Sequence, residues 1–251
     1  MINKAEIECR FRRSVDSYEE NATVQKLIVN RLLLLLDQYA GDPAFVLEIG
    51  CGTGLLSEKI VKKWFSKQLY INDLVDEMCS KTANKCQLQS SHCLTGDIES
   101  LELPRKFDLM VSASTFQWLA EPARTFAKLA EHLNPKGWLI FSTFGKDNFR
   151  EVKAVTGSGL VYHSMSEMED LLQAHFEILY TEEERYTLEF NEPLEILQHI
   201  KKTGVNANSL SRRWTRGDLK QFSEVYTNSF LVNGKYPLTY HPLYMVCRKK
   251  L

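Results

Sequence analysis

No apolar run in this chain is long enough to cross a bilayer. The longest, centred on Leu32 to Leu36, falls far short of the roughly 20 residues a spanning helix needs. Met1 to Ser17 is mixed in charge and lacks the apolar stretch of an export signal, so the cytoplasm is the expected location. Neither sign of charge is in excess, with 31 Lys and Arg against 32 Asp and Glu. That balance removes any global pull toward nucleic acid or an anionic membrane surface, and an electrostatic partner has to be met by a local patch. The six cysteines form no C-x-x-C pair and have no His at metal-ligand spacing, which excludes a zinc site and leaves reduced thiols. Cys79, Cys86 and Cys93 recur every seven positions by coincidence, the first two sharing a helix face and the third lying beyond it.

What the chain has is apolar material for a sizeable core, 44% of 251 residues. It is organised around Val46-Leu47-Glu48-Ile49-Gly50-Cys51-Gly52-Thr53-Gly54. An apolar, β-branched run ends in alternate glycines, and Leu55 to Trp64 then carries apolar residues at helical spacing. Glycines let the backbone turn and approach a ligand closely, and a new helix offers unpaired N–H groups. The spacing is E-x-G-x-G-x-G and not the G-x-G-x-x-G of pyrophosphate-binding loops. Glu48 beside such a loop would repel a pyrophosphate and suits a cationic or amino-bearing ligand, so a positively charged nucleoside is favoured. The short strand Gln68 to Asp73 ends in a carboxylate 19 positions after Gly54, near the spacing expected for an acceptor of ribose hydroxyls. Its other reading is an N-cap for the helix over Leu74 to Lys85.

The remaining pattern is a β/α alternation. Residues 3–40 read as helical with a break near Asn21; strands follow near His92 to Thr95 and at Phe107 to Val111. Arg124 to Leu133 reads as a helix, Asn134 to Gly137 as a turn and Trp138 to Phe144 as a strand. Phe176 to Tyr180, Tyr186 to Phe190 and Leu238 to Lys249 read as closing strands, with helices over Pro193 to Thr203 and Thr215 to Asn228. Ligands bind beyond strand ends in open α/β sheets, which puts Phe116, Gln117 and Trp118 near the site. Trp118 reads equally as a packing residue, and Tyr18 reads more readily as a core aromatic with its hydroxyl at the edge than as a residue closing over the ligand site.

At Glu48 to Gly54 the chain resembles the class I S-adenosylmethionine-dependent methyltransferases, and the resemblance continues over residues 44–145 and at the end. It implies a doubly wound, seven-stranded, mostly parallel Rossmann-like α/β sheet with its last strand antiparallel. The single domain would comprise a helical cap (1–43), a cofactor core (44–145), substrate-side lid insertions (146–175 and 191–236) and closing strands (176–190 and 237–251). The implied cofactor residues are Glu48, Gly50, Cys51, Gly52, Gly54, Asp73, Asp97, Ile98, Ser114 and Gln117, with Asp97 accepting from the adenine amine and Ile98 against the ring.

A narrower likeness lies in Phe141 to Gly145, Asn148 to Val152, His199 to Ala207 and Leu238 to His241, which resemble the malonyl-acyl-carrier-protein O-methyltransferases of biotin synthesis. It implies methyl transfer from S-adenosylmethionine, leaving S-adenosylhomocysteine, to the free carboxylate of a malonyl thioester on acyl carrier protein. No catalytic base and no metal are expected, since an ionised carboxylate is already a nucleophile. Tyr18, Trp118, Arg150 and Lys153 are the expected substrate residues. Arg150 suits a carboxylate anchor, while the family's F-x-E-L-R stretch aligns its basic residue with Lys153. Lys201, Lys202, Arg212, Arg213, Arg216 and Lys220 offer positive charge to an acidic carrier, or form a solvated face. A monomer without nucleic-acid or membrane partners is expected. A small-molecule carboxyl methyltransferase and a non-catalytic cofactor-binding module remain the alternatives.

Overall fold

Apolar strands separated by amphipathic helices assemble the sheet in chain order. The computed structural model describes residues 2–64, 68–203 and 214–251. Helices α1 (Lys4–Ser14), α2 (Tyr18–Asn21) and α3 (Thr23–Tyr39) form the N-terminal cap. Besides the break at Ala22, the cap turns a second time at Val15 to Ser17, where the Ser14 hydroxyl donates back to the Phe11 carbonyl (3.0 Å) and competes with helix continuation. The core alternates β1 (Phe45–Ile49), α4 (Ser57–Lys63), β2 (Gln68–Asp73), α5 (Asp76–Cys86), β3 (Cys93–Thr95), β4 (Phe107–Ala113), α6 (Pro122–Glu131) and β5 (Leu133–Phe144). The C-terminal part adds α7 (Arg150–Thr156), α8 (Met165–Leu172), β6 (Phe176–Glu183), β7 (Tyr186–Phe190), α9 (Pro193–Lys202), α10 (Arg216–Phe230), β8 (Tyr236–Tyr240) and β9 (Pro242–Lys249).

Seven strands lie in the order β3-β2-β1-β4-β5-β9-β6, parallel from β3 to β5 and with β9 antiparallel to both neighbours. The order reverses between β1 and β4, so the glycine loop after β1 opens onto the crevice where this topology binds ligands. Both sheet faces are covered. Ile28, Leu32, Leu35, Val46, Val111 and Ile140 pack on one side; Leu47, Met110, Phe126, Leu129 and Phe141 pack on the other. Each such fully buried aliphatic or aromatic side chain contributes roughly 1.5–3 kcal/mol by leaving water.

Three features depart from the sequence reading. Asn134 to Gly137 is a bulge inside β5, with Leu133 opposite Phe107, Trp138 opposite Leu109 and Lys136 at φ +62°. The segment Leu238 to Lys249 is two strands, and β7 does not complete the sheet but pairs with β8 in a separate ribbon. The break follows from register: Pro242 already faces Phe144, the last residue of β5, so the chain before it has no strand left to join. Finally, α8 lies within the stretch expected to be a lid, yet Met168 and Leu172 are buried with Phe126, Leu129 and Phe176, so this helix covers the sheet. Among the described residues no helix is long and apolar enough to cross a membrane.

Candidate functional site

The loop after β1 is built by backbone that only glycine adopts readily. Gly50, Gly52 and Gly54 have φ of +72°, +51° and +87°. The N–H groups of Gly50 and Cys51 both donate to the Asn72 carbonyl (2.8 and 2.9 Å), which ties the loop to the end of β2. Asp73 completes the tie: Oδ2 accepts from Gly52 N (2.9 Å) and Oδ1 from Val75 N (2.9 Å). Burial pushes the Asp73 carboxyl up to about 6, opposed by the N–H groups of Val75, Gly52 and Leu74. Asp73 lines the cavity and, contrary to its other reading, is not the N-cap of the following helix: α5 is capped by Val75 without a side-chain bond, and Asp73 instead holds the turn before it through the Val75 N–H.

That cavity has an empty volume of about 760 Å³, its open side included. Gly50, Gly52, Asp73, Asp97, Ile98, Ser114, Trp118 and Tyr18, all foreseen from sequence, line it together. Ile7, Phe11, Leu74, Met78 and Leu119 supply apolar wall. Phe11 of α1 meets Trp118 edge-on at 5.7 Å, so the cap closes one side. The Tyr18 phenol is driven upward in pKa by burial and then by the charge of Asp73. Ser114, at φ +57°, has a buried hydroxyl without a partner among the described residues. Apolar walls, a carboxylate at the end of β2 and an unsatisfied hydroxyl at the end of β4 fit an adenosine-bearing cofactor.

Other foreseen residues stand elsewhere. Glu48 does not reach the cavity wall; it is 1% exposed behind the loop and accepts from the Ser57 hydroxyl (2.5 Å) at the start of α4. Burial pushes its carboxyl up to about 8, partly offset by Ser57 and reinforced by Asp73. Its influence on a ligand is therefore through the loop and the local field. Cys51 is buried, a Cβ at Gly54 would stand 3.1 Å from Thr82 Oγ1, and Gln117 donates to the Ser114 carbonyl (2.6 Å), holding the β4 turn. Neither Arg150 nor Lys153 lines the cavity. Lys153 is exposed beside a separate small pocket with Ser158, Gly159, Leu160 and Tyr162, and Arg150 opens α7.

Sequence reasoning missed Lys4, Asn72 and Thr115. Lys4 of α1 lines the cavity and reaches Asp97 (3.2 Å) and Glu99 (2.5 Å). Nothing in its local sequence marks it, because the pairing is 93 residues away. Asn72 had a signal, a buried amide at the end of an apolar strand; its Nδ2 donates to the carbonyls of Leu94 and Gly96 (2.7 and 2.9 Å) and so sets the loop carrying Asp97.

Strand order, glycine loop and cavity at the switch point define a class I methyltransferase fold, and the methyltransferase-domain family model matches residues 47–141. Its cofactor is S-adenosylmethionine. The malonyl-[acyl-carrier protein] O-methyltransferase of Bacteroides thetaiotaomicron is 38% identical over 99% of this chain and 99% of its own. That of Acinetobacter baylyi is 36% identical over 99% and 98%. The chain belongs to this malonyl-[acyl-carrier protein] O-methyltransferase family. Among solved structures, the N-methyltransferase NodS of Bradyrhizobium japonicum, in complex with S-adenosylhomocysteine, has a TM-score of 0.58 at 15% identity, covering 98% of this chain and 100% of its own. The [4+2]-cyclase SpnF has 0.57 at 18%, covering 89% and 81%, so the fold likeness speaks for architecture alone.

Proposed function

We propose that this chain transfers a methyl group from S-adenosylmethionine to the free carboxylate of a malonyl thioester carried on acyl carrier protein, an early step of biotin synthesis in the cytoplasm. The observation that carries the reading is similarity over nearly the whole chain, cap and C-terminal part included, to enzymes named for that substrate. S-adenosylmethionine supplies an electrophilic methyl group on a sulfonium. The chain's own task is to place a nucleophile against it: Gly50, Gly52, Asp73, Asp97, Ile98 and Ser114 hold the cofactor, and Trp118 and Tyr18 exclude water.

Arg150 is the favoured anchor for the malonyl carboxylate, since a guanidinium can take it through paired hydrogen bonds; Lys153 serves as a point charge at best. Lys201 and Lys202 at the C-terminal end of α9, and Arg216 and Lys220 in the N-terminal part of α10, are exposed and suit an acidic carrier. Arg212 and Arg213 lie outside the described residues. Mass spectrometry of malonyl-carrier protein incubated with S-adenosylmethionine should show a gain of one methyl group, much faster than with malonyl-CoA. Comparable rates on malonyl-CoA or free dicarboxylates would favour a small-molecule enzyme, and no gain with cofactor-bound protein would favour a binding module.

A further inference from the structure

Beyond β5 the chain does not run free into the lid. Gly145 N donates to the His241 carbonyl (2.8 Å), His241 N to Asn148 Oδ1 (3.2 Å) and Phe149 N to the Thr239 carbonyl (2.8 Å). Thr239 answers with two bonds to one carboxylate: its N–H donates to Glu151 Oε2 (3.0 Å) and its hydroxyl to Glu151 Oε1 (2.5 Å). Glu151, Thr239 and Asn148 are 2%, 1% and 1% exposed, so this clamp between the start of α7 and the end of β8 is sealed from water. Within it Phe149 sits at φ +56°, left-handed backbone that a bulky residue holds only when its surroundings impose it. Its ring packs edge-on against Tyr240 at 4.8 Å, in the cluster that includes Trp118 of the cavity wall.

The residue that this bend throws outward is Arg150. Its Nε donates to Glu151 Oε1 (3.2 Å), while neither terminal nitrogen has a hydrogen-bond or ion-pair partner among the described residues. Its charge also reaches Asp147, which Arg185 already engages at 2.8 Å. A guanidinium fixed through Nε keeps its two terminal nitrogens side by side, the fork that a carboxylate accepts from. We propose that Glu151, held by Thr239, is a positioning residue for the substrate carboxylate, orienting the Arg150 fork without touching the substrate. This rests on the assignment of Arg150 as the malonyl anchor. Glu151 is a buried acid one position from an exposed base, and sequence spacing alone gives it no partner.

A double-mutant cycle on the full chain tests the idea, with KM for malonyl-carrier protein and Kd for S-adenosylhomocysteine measured for each variant. Glu151→Gln replaces one acceptor oxygen by an amide donor and should raise KM on the order of tenfold while leaving Kd unchanged. In Arg150→Ala the same Gln substitution should add almost nothing, because Glu151 acts through the guanidinium. Thr239→Val, which removes only the hydroxyl, should give a smaller KM increase in the same direction and stands in if Glu151→Gln does not fold. Additive KM effects, or a Glu151→Gln or Thr239→Val protein with unchanged KM, would overturn the proposal. An unchanged KM in Arg150→Ala alone would instead sink the anchor assignment on which it rests.

Discussion

The cofactor cavity and the segment proposed to anchor the substrate are built in opposite ways. In the cavity the ligand-facing groups come from turns that immediately follow parallel strands, and each turn is fixed by its neighbour strand: Gly50 and Cys51 by the Asn72 carbonyl, Gly52 by Asp73, the Asp97 loop by Asn72. The segment proposed to anchor the substrate, 145–151, is not part of that cavity's lining and is fixed by residues near the C-terminal end of the chain, Thr239 and His241. One half is a by-product of sheet formation, and the other exists only once the C-terminal ribbon has docked. Changes in the first half should therefore damage cofactor binding, and changes in the second should spare it.

The hardest test of that division is Gly50→Ala. A Cβ there would stand 2.0 Å from Thr115 Oγ1 on backbone at φ +72°, so the loop must move away from β4. Cofactor affinity should fall on the order of 100-fold or more, combining left-handed strain with displacement of the cavity wall. Isothermal titration with S-adenosylhomocysteine measures it; a fall below tenfold would mean that the loop geometry is not what holds the ligand. Next in size is Asp73→Asn, which keeps one acceptor but presents an amide donor to Gly52 N or Val75 N. A loss of roughly 10- to 100-fold in cofactor affinity is expected, as for a charged hydrogen-bond acceptor, with KM for the carrier substrate unchanged at saturating cofactor. A matching rise in that KM would blur the two halves into one.

This contrast also explains what was legible in the sequence. Glycine loop, Asp73, Asp97, Ile98 and the β4 turn are local: hydrophobic period and loop composition place each at a strand end, and the sheet does the rest. Glu48 was legible as a residue but not as a direction, since facing Ser57 depends on where α4 begins. The ribbon β7-β8 was hidden because a strand's partner is not written in its alternation; only the end of β5 at Phe144 forces the chain to leave the sheet. Lys4 and Glu151 were invisible for the same reason, as their partners lie 93 and 88 residues away.

The cofactor half should also be the pH-sensitive one. Glu48 and Asp73 are raised by burial to about 8 and about 6, above their ordinary 4.5 and 3.8. In the unfolded chain both ionise first, so the stability they contribute is complete below about pH 4 and is lost as pH rises through 6 and then 8. The cofactor-free protein should accordingly melt at lower temperature at pH 8.5 than at pH 6, in buffers matched for ionic strength. A sulfonium ligand favours the ionised carboxylates, so its affinity should climb up to roughly tenfold over the same interval and its binding should release protons. Calorimetry in two buffers of different ionisation enthalpy reads that release directly. An affinity that is flat with pH would show that neither carboxyl changes state when the ligand binds.

The smallest expected effect settles to which half the N-terminal cap belongs. Lys4 holds Asp97 and Glu99 from α1 with about a quarter of each of the Lys4 and Asp97 side chains still exposed, so solvent screens the pair. Glu99 is meanwhile occupied by the N–H groups of Ala120 and Glu121, which makes it a fixed post to which α1 is fastened. Lys4→Met keeps the apolar stem against the cavity and removes only the charge. S-adenosylhomocysteine should then dissociate roughly two- to fivefold faster, as expected for a partly exposed ion pair, and the difference from the parent should vanish at high salt. Stopped-flow fluorescence can follow it, because Trp118 lies in the cavity wall against Phe11 of the same helix. If Lys4→Met instead leaves dissociation alone and raises KM for the carrier substrate, the cap acts with the C-terminal half, and the division between a locally built cofactor cavity and a remotely built anchoring segment must be redrawn through α1.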